Sequence, residues 1–123
     1  MARNGLKFKF RVAGVAIIAA RLDGITPLYI AAERGHVAVV SELLAAPSVA
    51  ADLVDEDGWS PLHVAAWTGH AAVVTALLSC PAVNINRQTP DGMTPLRLAR
   101  DDGHVAVAAV IQARGGGLDA VAV

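Results

Sequence analysis

Apolar positions in this chain fall into two short blocks separated by a Gly-His pair, and the whole arrangement repeats. Asp23-Gly24, which begins the first block, returns twice, each time 34 residues further on. Residues 23–56 and 57–90 are identical at 15 of 34 positions without a gap. A fixed period of this length indicates a stack of supersecondary units.

Each unit predicts a tight turn followed by two helices. An Asp-Gly pair suits a turn, because Gly tolerates positive φ and Asp bonds to the following backbone. The Thr or Ser before the next proline is an N-cap, and proline suits the first helical position, where no amide proton is needed. The apolar stripe at positions 39, 40, 43 and 44 is typical of a second, amphipathic helix. The three N-caps are Thr26, Ser60 and Thr94, and the predicted helices span residues 27–34 and 37–46, 61–68 and 71–80, and 95–102 and 105–113.

The middle unit carries the most complete motif, Asp57-Gly58-Trp59-Ser60-Pro61-Leu62-His63-Val64-Ala65-Ala66, followed by Gly69-His70 and Leu77-Leu78. The motif and its two weaker copies resemble the ankyrin repeat over residues 21–114, about three-quarters of the chain. This resemblance implies an all-α solenoid of helix–turn–helix units with β-hairpin-like loops. The signature histidine is Tyr29 in the first unit and Arg97 in the third. A proline-containing loop lengthens the unit from about 33 to 34 residues, which should leave the stacking intact.

The repeat divides the chain into five segments. Residues 23–56, 57–90 and 91–114 are repeats 1, 2 and 3, residues 1–22 form an N-terminal segment, and residues 115–123 form a flexible tail. In repeat 3, Gln112 stands where the other repeats have leucine, and Ala108 where they have valine. Terminal repeats need more polar outer faces, so we predict that repeat 3 is a C-terminal cap.

The N-terminal segment differs in charge from the rest of the chain. It holds five basic residues and no acid, whereas residues 23–123 carry a formal charge of −6. Positions 6–12 alternate like a strand, and positions 12–20 are continuously apolar, as in a short helix. We expect an irregular cap on repeat 1. A cleavable targeting presequence and a basic arm that contacts an anionic partner or membrane surface are the alternatives.

Composition narrows the class of protein further. Hydrophobic residues make up 54% of the 123 residues and aromatic ones only 4%, which favours close-packed helices over a sandwich or barrel. The single cysteine, Cys80, excludes a disulfide framework and a cysteine-based zinc site.

We expect a cytoplasmic or nuclear protein, with a cleavable leader as the alternative. The acidic repeats argue against binding to nucleic acid, and the nine-residue apolar run is too short for a membrane span, which needs about 20 residues.

The four histidines predict structural roles. His36, His70 and His104 belong to successive Gly-His pairs, about 10 Å apart in a stack, so they cannot converge on one metal ion. We expect their ring nitrogens to bond to loop backbone. His63 occupies the position that in ankyrin repeats bonds within the turn. No phosphate-binding glycine loop and no Ser-His-Asp arrangement is present, so we predict no catalytic residue, no cofactor and no metal site.

Binding in a repeat stack uses its extended concave surface. By resemblance to ankyrin repeats, partners contact the hairpin tips and the two residues before each Gly-His pair. Those positions are Asp23, Ile25, Glu33 and Arg34 in repeat 1, Asp57, Trp59, Trp67 and Thr68 in repeat 2, and Asp91, Met93, Asp101 and Asp102 in repeat 3.

Both tryptophans of the chain fall in this set of positions. Tryptophan and methionine are enriched at the centres of interfaces, although these rings could instead pack as filler against the neighbouring hairpins. Carboxylates around them predict a basic or neutral protein partner. We therefore expect a monomeric protein-binding module without enzymatic activity. The alternatives are a structural fragment of a longer repeat array and recruitment to an anionic membrane surface through residues 1–22.

Overall fold

Each helix pair begins at a proline that follows a capping side chain. In a computed structural model that describes residues 26–46 and 50–116, the hydroxyls of Thr26, Ser60 and Thr94 accept the backbone N–H three residues on, at 3.0, 3.3 and 3.2 Å. All three predicted N-caps are therefore confirmed. Residues 1–25, which include the whole predicted N-terminal cap, Asp23 and Ile25, lie outside the described residues, and so do residues 117–123 of the predicted tail.

Six helices and no strand are found in the described part of the chain, as predicted for an all-α solenoid. They are α1 (Pro27–Arg34), α2 (Val37–Leu44), α3 (Pro61–Thr68), α4 (Ala71–Leu78), α5 (Pro95–Asp101) and α6 (Val105–Ala113). None of them is long and apolar enough to cross a membrane.

The predicted ends of α2 and α4 were wrong by two residues. Both helices were expected to continue to residues 46 and 80, but they end at Leu44 and Leu78. A proline disfavours helical backbone at the residue before it, so the helix finishes ahead of Pro47 and Pro81. The end of α5 falls one residue before the predicted position 102.

The helices stack in two rows. The first helices of the three pairs, α1, α3 and α5, pack in sequence against one another, and so do the second helices, α2, α4 and α6. A single cluster of buried leucine, valine, isoleucine and alanine side chains runs through all three pairs, and Tyr29 is the one fully buried tyrosine or tryptophan among the described residues. The scarcity of aromatic residues thus matches a core of small side chains, which lets helices approach closely.

Two tight hairpins project between the pairs. In hairpin 2 (residues 55–59) the N–H of Asp55 donates to the Trp59 carbonyl at 2.9 Å, and in hairpin 3 (residues 89–93) Thr89 donates to Met93 at 3.0 Å. Gly58 and Gly92 lie at the turns with φ of 82° and 84°, a region that favours glycine. The predicted Asp-Gly turns are confirmed at both places.

Candidate protein-binding face

The two tryptophans meet on the surface of the middle repeat. Trp59 lies at the end of hairpin 2 and Trp67 in the last turn of α3, and their rings pack edge to face with centroids 5.5 Å apart and planes at 80°. Both rings are half-buried and lean on the core while keeping part of their surface in water. The T-shaped contact restrains both rings, and part of the apolar surface of each stays exposed.

A buried carboxylate holds hairpin 2. Asp55, 4% exposed, accepts the backbone N–H of Asp57 at 2.8 Å and of Trp59 at 3.0 Å on Oδ1. Its Oδ2 accepts the hydroxyl of Tyr29 from α1 at 2.7 Å. One carboxylate thus ties the hairpin that carries Trp59 to the first helix of the preceding repeat.

Hairpin 3 is held by a hydroxyl and an imidazole. Thr89 Oγ1 accepts the N–H of Met93 at 3.1 Å. The Nε2 of His63, in α3, lies 2.8 Å from the Arg87 carbonyl and 3.2 Å from that of Met93. His63 therefore connects the middle repeat to the loop of the next one, in addition to the predicted bond within its own turn.

His63 is a neutral imidazole at physiological pH. Its Nδ1 accepts the N–H of Ser60 at 3.1 Å, which leaves the proton on Nε2 to donate to the two carbonyls. The side chain is completely buried, and this desolvation lowers its pKa from 6.5 to about 4. The ring therefore stays unprotonated near pH 7, and both of its nitrogens take part in hydrogen bonds to backbone.

Two of the Gly-His histidines bond between repeats. The Nε2 of His70 lies 3.0 Å from the Glu33 carbonyl, and that of His104 lies 2.9 Å from the Trp67 carbonyl. The expectation of backbone bonds is confirmed for His70 and His104, but their acceptors lie in the last turn of the preceding first helix and not in loops, and for His36 it stays a prediction. Each ring also covers a glycine: a Cβ on Gly69 would lie 2.7 Å from Nδ1 of His104. In residues 26–46 and 50–116, no group of three or more His, Cys, Asp or Glu side chains could hold a metal ion.

The predicted binding residues with described positions divide into two sets by exposure. Asp57, Asp91, Asp101 and Asp102 are exposed, whereas Glu33, Arg34, Trp59, Trp67, Thr68 and Met93 are half-buried. We call these ten residues the binding face. The Thr68 hydroxyl donates to the Val64 carbonyl at 2.8 Å within α3, and Asp102 lies 3.9 Å from the ring of His104.

Sequence reasoning missed the link between Tyr29 and Asp55. In the sequence, Tyr29 is visible only as a departure from the signature histidine. Asp55 had no repeat signal, because the residues 34 positions before and after it are Arg21 and Thr89. The one available hint was chemical: position 55 and position 89 both carry a side-chain oxygen just ahead of an Asp-Gly turn.

Three stacked helix pairs with hairpins between them define a helical repeat protein, in which each unit buries its apolar side against a neighbour. A family model for ankyrin repeats, in three copies, matches residues 2–89. The chain belongs to the ankyrin-repeat family. The match ends ahead of α5 and α6, which continue the same stack. No curated protein matches the chain significantly. Ankyrin repeats are generally protein–protein interaction modules and are typically non-enzymatic.

Proposed function

We propose that this chain binds a protein partner through the binding face and catalyses no reaction itself. The observation that carries the proposal is the Trp59–Trp67 pair, half-buried in an edge-to-face arrangement on one hairpin and one helix end. Energetic hot spots of interfaces are enriched in tryptophan and lie near the centre, surrounded by more polar residues. The pair lies in the middle repeat, with Met93 on the following hairpin.

The charge around the pair supports a basic or neutral partner. Asp57, Asp91, Asp101 and Asp102 are exposed at hairpins 2 and 3 and at the end of α5. Complementary charge accelerates encounter and disfavours partners of like charge, so this rim favours basic proteins and disfavours nucleic acid. We expect one monomeric chain to bind one partner.

The test is affinity capture by wild type and by the Trp59→Ala/Trp67→Ala double variant. We expect the double variant to lose at least about 100-fold in affinity for the captured protein, as for two hot-spot residues. Val105→Ala is the matched control, because Val105 is a large apolar residue that is 77% exposed on α6, away from the tryptophan pair. Circular dichroism must show unchanged helix content in both variants. Equal capture by the double variant would refute the proposed face.

A further inference from the structure

Two side chains, those of Asp55 and Tyr29, connect the hairpin that carries Trp59 to the preceding repeat. Tyr29 is completely buried in α1, and its hydroxyl donates to Asp55 at 2.7 Å. The other oxygen of Asp55 receives the N–H groups of Asp57 and Trp59. The tyrosine, 26 residues from Asp55 in sequence, is thus joined through one carboxylate to the backbone of both binding-face residues of hairpin 2.

Hairpin 3 has the same backbone pairing but lacks this arrangement. Thr89 takes the place of Asp55, and its hydroxyl accepts the Met93 N–H. His63, which takes the place of Tyr29, bonds to backbone carbonyls and not to the side chain at the hairpin base. The two hairpins therefore form an internal comparison: the amides of hairpin 2 depend on a carboxylate that Tyr29 holds, whereas the Met93 amide of hairpin 3 depends on the Thr89 hydroxyl and not on His63, which bonds to carbonyls.

A carboxylate held on both sides has a fixed orientation. The hydrogen bond from Tyr29 holds Oδ2 inside the stack, and this leaves Oδ1 aimed at the hairpin N–H groups. Hydrogen bonds to a charged acceptor are stronger and more directional than neutral ones. Loss of the tyrosine hydroxyl removes the hydrogen bond on Oδ2 and so loosens the carboxylate that accepts two amides of the hairpin.

We propose that Tyr29 is a positioning residue that sets the orientation of the Trp59 hairpin by acting through Asp55. The effect of Tyr29 on the orientation of hairpin 2 follows from the contacts above. Its effect on partner binding rests on the proposed function of the binding face. Tyr29 itself is fully buried, so it acts on the binding face through Asp55. It belongs to repeat 1 and orders the hairpin tip of repeat 2.

The test is amide hydrogen exchange, measured by nuclear magnetic resonance, on wild type and on Tyr29→Phe. We expect exchange at the amides of Asp57 and Trp59 to accelerate about tenfold or more, because their common acceptor is no longer fixed. Exchange at Met93, whose acceptor is Thr89, should change less than about twofold. A residue that only adds stability would accelerate all three amides by the same factor, and that result would overturn the proposal.

Two further variants distinguish a selective effect on hairpin 2 from a general loss of stability. Ile111→Val shortens a fully buried side chain in α6, far from hairpin 2 in sequence, and should alter the three amides alike. Asp55→Asn keeps the shape but removes the charge, and it should accelerate Asp57 and Trp59 selectively even if Tyr29→Phe fails to fold. Unselective exchange in Asp55→Asn would also overturn the proposal.

The affinity for the captured partner distinguishes the positioning role of Tyr29 from the proposed function of the binding face. Selective exchange in Tyr29→Phe together with weaker partner binding supports both. Selective exchange with unchanged partner affinity would retain the positioning role of Tyr29 and refute binding at Trp59.

Discussion

Repeats 2 and 3 share one backbone plan, but they differ on the side that faces the C-terminal end of the stack. His63 in α3 is completely buried, whereas Arg97 at the equivalent place in α5 is exposed. Ala66 is also completely buried, and its equivalent is the exposed Arg100. A side that receives another repeat carries small or hydrogen-bonded side chains, and the side that ends the described stack carries charged ones.

The glycines show the same difference. His104 covers Gly69, but nothing in the described chain lies within 4 Å of a Cβ built on Gly103. Gly58 is covered by Pro90 of the following hairpin, and Gly92 is open in the same way as Gly103. The polar ending that the sequence predicted at Gln112 therefore extends to α5, where Arg97 and Arg100 lie. We propose that repeat 3 acts as a C-terminal cap.

The largest difference between repeats 2 and 3 should be in how their contributions to folding stability change as the pH falls. The pKa of His63 is about 4 in the folded chain and near 6.5 when unfolded, so below pH 6.5 the unfolded chain binds a proton that the folded chain does not. For this group, the free energy of unfolding is highest above pH 6.5, and it falls by about 3 kcal/mol as the pH drops to about 4. Arg97 has no such dependence, because arginine stays charged over this range.

Urea denaturation of wild type and His63→Gln between pH 7 and pH 4 measures this effect. We expect the wild type to lose stability more steeply than the variant over this window, because the other titrating groups are common to both chains. Parallel curves would show that His63 is not the buried neutral group described above.

A smaller effect should separate two matched glycines. Gly69 and Gly103 have φ of 85° and 75°, so alanine is strained by about 1 kcal/mol at either position. Gly69→Ala must also displace the His104 ring and weaken its bond to the Trp67 carbonyl, which adds about 1 kcal/mol. We therefore expect Gly69→Ala to destabilise the chain about twice as much as Gly103→Ala in urea denaturation. Equal losses would mean that the histidine contributes nothing to the repeat interface.

Much of the fold followed from local patterns in the sequence. The Thr/Ser-Pro starts and the Asp-Gly turns each depend on a few neighbouring residues, and all of those in the described ranges are confirmed. The ends of α2 and α4 were predicted too late, because helical backbone is disfavoured at the residue before a proline, and the C-caps Ala45 and Ser79 come one residue earlier still. Several weak local interactions together set the last residue of a helix, so sequence patterns predict helix ends poorly.

The candidate site was less predictable because it depends on side-chain directions between repeats. Repeat alignment placed Trp59 and Trp67 at surface positions, but their edge-to-face contact is visible only in the structure. The Tyr29–Asp55 bond joins residues whose repeat equivalents have different chemistry, so periodicity could not indicate it. Departures from the repeat thus carried the features most specific to this chain.

Amide exchange of this chain with and without its captured partner tests binding at the tryptophan pair directly. We predict protection at hairpins 2 and 3 and at the last turns of α3 and α5, next to Trp67 and Asp101. We predict no protection on the outer sides of α2, α4 and α6. Protection confined to those second helices, with hairpin 2 unchanged, would contradict binding at the tryptophan pair.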